Sequence, residues 1–451
     1  MHHLFEMMPS LYLVSGQKFI KMKEDFLHYI WRFQKFETHG MKTSQGDDIQ
    51  VISVGQYNSH SGPDFLDARI KIGGTLWAGH VEIHINSSDW ISHKHQLDKA
   101  YDNVILHVVF NDDQKIFRIS GTQIPSLGLK QRIFPKMESK YLKLLNNKYW
   151  IPCQHQFHKV SVLKKTIWYD RLLIERLEQK TAQIQILLNQ NHDDWEKTFF
   201  QVLANNFGLK VNQLPFELLS KSIDLNVIAK HKDNEIQIAA IIFGQSGLLN
   251  DSFSEEYPKS LKREYQFLKA KYRLTPIQKE SWRFLRLRPQ NFPTIRLAQF
   301  AKLLFQETHL FSRMLSAVTI KEIDQIFDIQ LPDYWNTHFV FEKASQNRQK
   351  HLGKSMIRLI VINTIVPFLF LYGKLKAVTE YQDKAMMLLE SIKVEDNSII
   401  SNWKKLGENP KTAYDSQALL QLKNEYCNEK KCLKCSIGNA ILSESPIVLS
   451  E

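Results

Sequence analysis

The chain has 451 residues, 43% of them apolar and 24% charged, and carries no low-complexity tract, so it can bury full-sized cores and is not a disordered segment. A formal net charge of +12 favours an acidic partner such as nucleic acid, although a solvated basic surface reads the same way. Four cysteines are too few for a disulfide framework, and the N-terminus lacks the pattern of a secretory leader, which predicts a cytoplasmic protein.

In chain order, "KMKEDFLHYIWRFQKF" (21–36) spaces Phe26, Leu27, Ile30, Trp31 and Phe33 along one side of a first helix. "IQVISVGQY" (49–57) alternates between turn residues and reads as a strand. "SGPDFLDARIKIGGTLWAGHVEIHI" (61–85) gives two more strands, at about 65–72 and 77–85, joined tightly by Gly73-Gly74. A short helix capped by Ser88 or Asp89 is expected to end near Asn103, and the apolar run "VILHVVF" (104–110) predicts a strand buried on both faces. A weaker hairpin near 115–127 and a helix in "KMESKYLKLLNNKYW" complete a first domain, 22–152. Beyond about 160 amphipathic helices dominate, so 160–445 is predicted to be an all-helical domain ending in a cysteine cluster. Its longest apolar run, "MIRLIVINTIVPFLFLY" (356–372), is broken by Arg358, Asn363 and Pro367 and reads as a buried core helix, not a membrane span.

Strand alternation puts His80, Glu82 and His84 on one face of the third strand, and folding at Gly73-Gly74 brings Asp64 beside Glu82. Two neighbouring carboxylates repel unless a cation or a proton intervenes, which makes the pair a candidate Mg²⁺ or Mn²⁺ site with His80 as a supporting ligand. The plain reading of the same residues is a hairpin with a polar wet face. His93-X-His95 beside Asp98 offers a zinc-dependent hydrolase as an alternative, whereas His107 reads as a hydrogen-bonded core residue.

Pro63-Asp64, Glu82-Ile83-His84 and the order helix, three strands, helix, strand across residues 22–110 resemble the PD-(D/E)XK nucleases. The resemblance implies an α+β protein with an N-terminal restriction-endonuclease-like αβββαβ core followed by the large helical domain. It further implies metal-dependent cleavage of DNA in preference to RNA, with Asp64, Glu82 and His84 as the catalytic residues. His84 stands where that superfamily has a lysine that orients or activates the attacking water. The departure leaves room for an inactive nuclease fold that binds nucleic acid or serves as a scaffold. The chain has no helicase motif, so a partner motor would have to supply unwinding.

Cys427, Cys432 and Cys435 form a C-x4-C-x2-C cluster, and Cys153 is the only other cysteine. Together they make a four-ligand set of the kind that binds Zn²⁺ or an iron-sulfur cluster. "SWRFLRLRPQNFPTIRLAQFA" (281–301) carries Arg283, Arg286, Arg288 and Arg296 among aromatics and no acidic residue, a candidate nucleic-acid surface; the alternative is a set of arginines paired to neighbouring helices. Over nearly its full length the chain also resembles an uncharacterised bacterial family known only as a domain of unknown function, through "KEDFLHYIWRF", "VEIHINSSDWISHKH", "RLRPQNFPTIR" and "CLKCSIG" among others. That resemblance implies no activity, and it implies a start at Met22 with residues 1–21 as an extension.

Overall fold

The structure, a computed structural model, describes residues 22–443; the implied extension at 1–21 and the last positions of the predicted helical domain lie outside them. The chain divides into two compact units, one running to Trp168 and resuming at Leu422, the other spanning Tyr169–Gln421. The division falls inside the continuous helix Val162–Gln190, so no linker composition marks it. The cysteine-bearing C-terminal segment, assigned by sequence order to the helical domain, groups instead with the sheet-bearing unit.

In the first unit, helix α1 (Glu24–Arg32) buries Phe26, Leu27, Tyr29, Ile30 and Trp31 and packs on the sheet. Phe33, expected on the same side, is nearly half exposed because the helix ends one residue earlier. The first predicted strand is split into β1 (Ile49–Ser53) and β2 (Gln56–Tyr57). Gly55 makes the break: its φ is +89°, and a Cβ there would lie 2.6 Å from the Leu66 carbonyl oxygen.

Strands β3 (Phe65–Ile72) and β4 (Thr75–Asn86) form the expected hairpin, with Gly73 and Gly74 both at positive φ as a two-residue primed turn requires. Next come α2 (Asp89–Ser92), β5 (Val104–Asn111), β6 (Ser126–Gly128) and α3 (Pro135–Asn146). The sheet order is β1-β3-β4-β5-β6, with β2 also on β3; β1, β3 and β4 are antiparallel, while β4–β5 and β5–β6 are parallel. Burial of Val104–Val109 on both faces matches the unbroken apolar run.

The predicted 88–103 helix is reduced to the single turn of α2 and two 3₁₀ turns, His95–Leu97 and Lys99–Tyr101. Lys94 in the left-handed region stops the helix, and the Asp98 carboxylate accepts from the Ala100 N–H to restart the chain. Near 115–127 a single bridge, Phe117–Gln123, precedes β6, short of a full hairpin.

The second unit is mostly helical, not wholly so: a small antiparallel ribbon pairs His338–Val340 with Lys343–Ala344. Its core is rich in aromatics, among them Phe199, Phe207, Phe216, Phe243 and Phe300. The helical stretch Lys354–Lys376 is apolar and long enough to cross a membrane, yet 78% of its most apolar window is buried, as for a core helix. A π-helical turn, Val361–Ile365, stands just before Pro367, where the ring removes a backbone donor.

Candidate metal and catalytic site

Register and a bulge together build the site. Phe65 pairs with Val81, so Asp64, at the mouth of β3, stands beside Glu82 on β4. The two residues clasp each other: the Asp64 N–H donates to Glu82 Oε2 at 3.1 Å, and the Ile83 N–H donates to Asp64 Oδ2 at 3.0 Å. Between Phe65 and Ala68 the register slips, with Asp67 at a φ of +56°.

The bulge turns His80 away from this group. Its Nδ1 accepts from the Asp67 N–H at 3.3 Å, so the supporting ligand expected from simple alternation is not among the residues brought together. Glu82 and His84 are. Glu82 Oε1 lies 3.5 Å from His84 Nε2 and 3.3 Å from His95 Nε2. His84 Nε2 is also 3.1 Å from His93 Nδ1, and one nitrogen each of His84, His93 and His95 fall within 4.8 Å of one another.

Loop, strand and core thus supply separate imidazoles to one point. His93 ends α2, His95 opens the following 3₁₀ turn, and the His95 ring stacks on Tyr101 with centroids 3.9 Å apart. His107, fully buried on β5, reaches His84 Nδ1 with its Nε2 at 2.8 Å, as the core reading anticipated. Asp98 serves as a turn cap.

The electrostatics follow from burial. Glu82 is 5% exposed; burial first, and then the Asp64 charge, push its carboxyl well above the ordinary 4.5. Burial, and then the neighbouring imidazoles, lower His84 to about 2 and His107 to about 3, so both rings are neutral. Neutral imidazoles are ligands, and the ring nitrogen left free by one hydrogen bond is set by the other. When His84 Nδ1 donates to His107 Nε2, the His84 Nε2 lone pair faces Glu82 and His93. His107 Nδ1 has no hydrogen-bond partner among the described residues, so this buried relay ends in an unpaid polar atom.

Two groups on α1 were not legible as site residues. His28 Nε2 lies 3.1 Å from Asp64 Oδ2, and although burial opposes it, the Asp64 carboxylate holds His28 above its ordinary value. Glu24 is raised by burial and lies within the field of Asp64 and His93. Nothing in the α1 pattern distinguishes these polar positions from a solvated face.

Elsewhere, the arginine stretch divides. Arg283, Arg286 and Arg288 are exposed in an irregular segment anchored by Asn212, whose side chain bonds the Arg283 N–H and carbonyl at 2.8 and 2.9 Å. Arg296 differs from these three: it is buried, with Nη1 on Gln299 at 2.9 Å and Nη2 on Asn291 at 2.6 Å. Cys153, Cys432 and Cys435 are buried and Cys427 partly so; none is in a disulfide.

No curated protein and no solved structure matches the chain. A family profile described as "Protein of unknown function (DUF2851)" matches residues 24–398, most of the chain, and the protein belongs to that family.

Proposed function

We propose that the protein is a metal-dependent nuclease, hydrolysing phosphodiester bonds of DNA in preference to RNA, on a PD-(D/E)XK-like core. The observation that carries this reading is the Asp64–Glu82 clasp, in which Glu82 is buried, with the His84 and His95 imidazoles on Glu82 and His93 beside His84. The order of helix, antiparallel strands, short helical crossover and parallel strand supports it, as does Pro63-Asp64 at the mouth of β3.

The donor set fits a divalent ion. Asp64 and Glu82 provide hard carboxylate oxygens, and His84, with His93 and His95 beside it, provides borderline nitrogens, a mixture that favours Mn²⁺ over Mg²⁺. An ion bound there supplies a Lewis acid for a phosphoryl oxygen and lowers the pKa of bound water. The chain's own contributions are to hold the carboxylates through the Asp64 and Ile83 N–H groups and to fix His84 through His107. His84, where the superfamily has a lysine, would join the ion through Nε2 while His107 holds its Nδ1, so its part is to hold the ion and not to take the water's proton. The exposed Arg283, Arg286 and Arg288 are proposed as phosphate contacts.

A second reading, a zinc-dependent hydrolase, rests on the His84–His93–His95 trio, since three imidazoles and an open position suit Zn²⁺. Cleavage of single- and double-stranded DNA by the full-length protein, with Mg²⁺, Mn²⁺ or Zn²⁺, separates them. The nuclease reading expects Mn²⁺- or Mg²⁺-dependent cleavage that disappears in Asp64→Ala/Glu82→Ala. Hydrolysis that needs Zn²⁺ and survives Asp64→Ala supports the second. Salt-sensitive DNA binding with no cleavage, unchanged in the double variant, marks an inactive nuclease fold that binds without cutting.

A further inference from the structure

We propose that the cavity between α1 and the C-terminal segment 428–434 binds unpaired nucleotides of a DNA strand and leads them toward Asp64, so that the substrate taken is single-stranded. The inference deepens the nuclease reading and rests on it for the direction of the strand. The cavity measures about 410 Å³, a size that encloses a small ligand, and everything lining it belongs to the sheet-bearing unit. Its two walls are joined where the 3₁₀ turn Cys432–Lys434 packs on α1 and the helix Ser436–Ser443 packs on α3. Lys430 Nζ donates to the Leu145 and Asn147 carbonyl oxygens, and Lys423 Nζ donates to the Trp150 carbonyl oxygen at 2.7 Å. The C-terminal wall is thereby fixed to the chain at and beyond the end of α3.

The lining combines free cations with open aromatic rings. Five basic side chains, Lys23, Arg32, Lys430, Lys431 and Lys434, stand against the two carboxylates of Asp25 and Glu429. Lys23, Arg32, Lys431 and Lys434 are exposed, and their side chains have no hydrogen bond or ion pair among the described residues, which leaves their charge open to phosphate. Phe33, 46% exposed, and Tyr57 line the same cavity, with the Arg32 guanidinium carbon 5.5 Å from the first ring centroid and 5.6 Å from the second. Rings that accept bases and cations that follow the backbone are how unpaired strands are held. In a duplex each base is paired and stacked, so its face meets no protein ring unless the nucleotide is extruded. An acidic peptide would satisfy the lysines and leave the rings without a planar partner.

The cavity meets the carboxylates through His28. That ring lines the cavity, its Nε2 lies 3.1 Å from Asp64 Oδ2, and its centroid is 5.8 Å from that of Tyr57. His28 Nδ1 is buried and has no hydrogen-bond partner among the described residues, a polar atom still to be met. Tyr57 in turn lies on Phe65, the residue after Asp64, with ring centroids 5.4 Å apart. Contacts therefore run without a gap from Phe33 through Arg32 and Tyr57 to both neighbours of the Asp64 carboxylate, His28 and Phe65. A strand whose bases follow these rings carries its next phosphodiester toward Asp64 and Glu82.

The full-length protein, held in EDTA so that binding is read without cleavage, is titrated by fluorescence anisotropy into a labelled thymidylate strand of about ten nucleotides and into a duplex of the same length. The strand is expected to bind more tightly than the duplex. Phe33→Ala is expected to weaken strand binding at least about fivefold and to leave the duplex unchanged. Lys431→Ala/Lys434→Ala is expected to lower the slope of log binding constant against log salt by about 1.4 for the strand. Should Phe33→Ala fail to fold, the lysine variant decides. If the unmodified protein cleaves nothing with added metal yet shows these losses, the strand-binding cavity stands and the nuclease reading falls. If it cleaves and neither variant alters strand binding, the nuclease reading stands and this proposal falls. Equal affinity for strand and duplex, or thymidine monophosphate displacing the strand at the strand's own Kd, would overturn it as well.

Discussion

Replacing Glu82 by glutamine is expected to stabilise the metal-free protein while removing its response to metal. The reasoning starts from a carboxyl that is 5% exposed and faces the Asp64 carboxylate. The unfolded chain ionises it near the ordinary 4.5, whereas the folded chain retains the proton to higher pH. The raised value means that this group's contribution is fully present below pH 4.5 and is lost as pH rises toward the folded value. At pH 7.5 the difference is about three pH units at about 1.4 kcal/mol each, so the penalty is at most about 4 kcal/mol. Glutamine keeps an oxygen for the Asp64 N–H and offers an N–H₂ to the neutral imidazole, without the ionisation penalty. Thermal unfolding in EDTA at pH 7.5 should therefore show Glu82→Gln melting higher by up to several degrees, at about 3 °C per kcal/mol for a unit of this size. Adding Mn²⁺ should raise the unmodified protein, by about 2.7 kcal/mol at a hundredfold excess over Kd, and leave the variant nearly unchanged. A variant that melts lower in EDTA and still gains the full Mn²⁺ stabilisation would refute the reasoning.

Three further outcomes are expected. His107→Phe removes the partner of His84 Nδ1 and should weaken Mn²⁺ binding about 10- to 100-fold by isothermal titration calorimetry. Lys180, lowered to about 7 by burial and then by Arg176, carries a proton in the unfolded chain that the folded one releases; stability should rise with pH from about 7 to 10.5, and Lys180→Met should flatten that slope in denaturant titrations. Replacing Arg283, Arg286 and Arg288 together by alanine should weaken DNA binding and reduce its salt slope by up to about three with little change in melting temperature, whereas Arg296→Ala should lower the melting temperature by leaving Asn291 and Gln299 without their partner.

Periodicity and turn chemistry alone determined the scaffold of the first unit. The 3.6-residue spacing before Arg32, the Gly73-Gly74 turn and the apolar run at 104–110 each act within a few residues, so local sequence was enough to place α1, the hairpin and β5. The turn fixed register as far as Ala68–Gly79, which carried on unbroken would oppose Asp64 to Ile83; the one-residue slip before Phe65 is what sets Asp64 beside Glu82. Strict alternation failed at His80, because the bulge at Asp67 depends on how β3 meets β4, and no period in either strand encodes it. The convergence of His84 with His93, His95 and His107, and the approach of His28 on α1, required the parallel β4–β5 pairing and the packing of α1 on the sheet. The same holds for Arg296, a charged residue indistinguishable in sequence from Arg283 until its burial separates them. Local forces choose elements and turns, whereas contacts between residues distant in sequence are chosen by the core that excludes water, and the chemistry of this chain lies at those contacts.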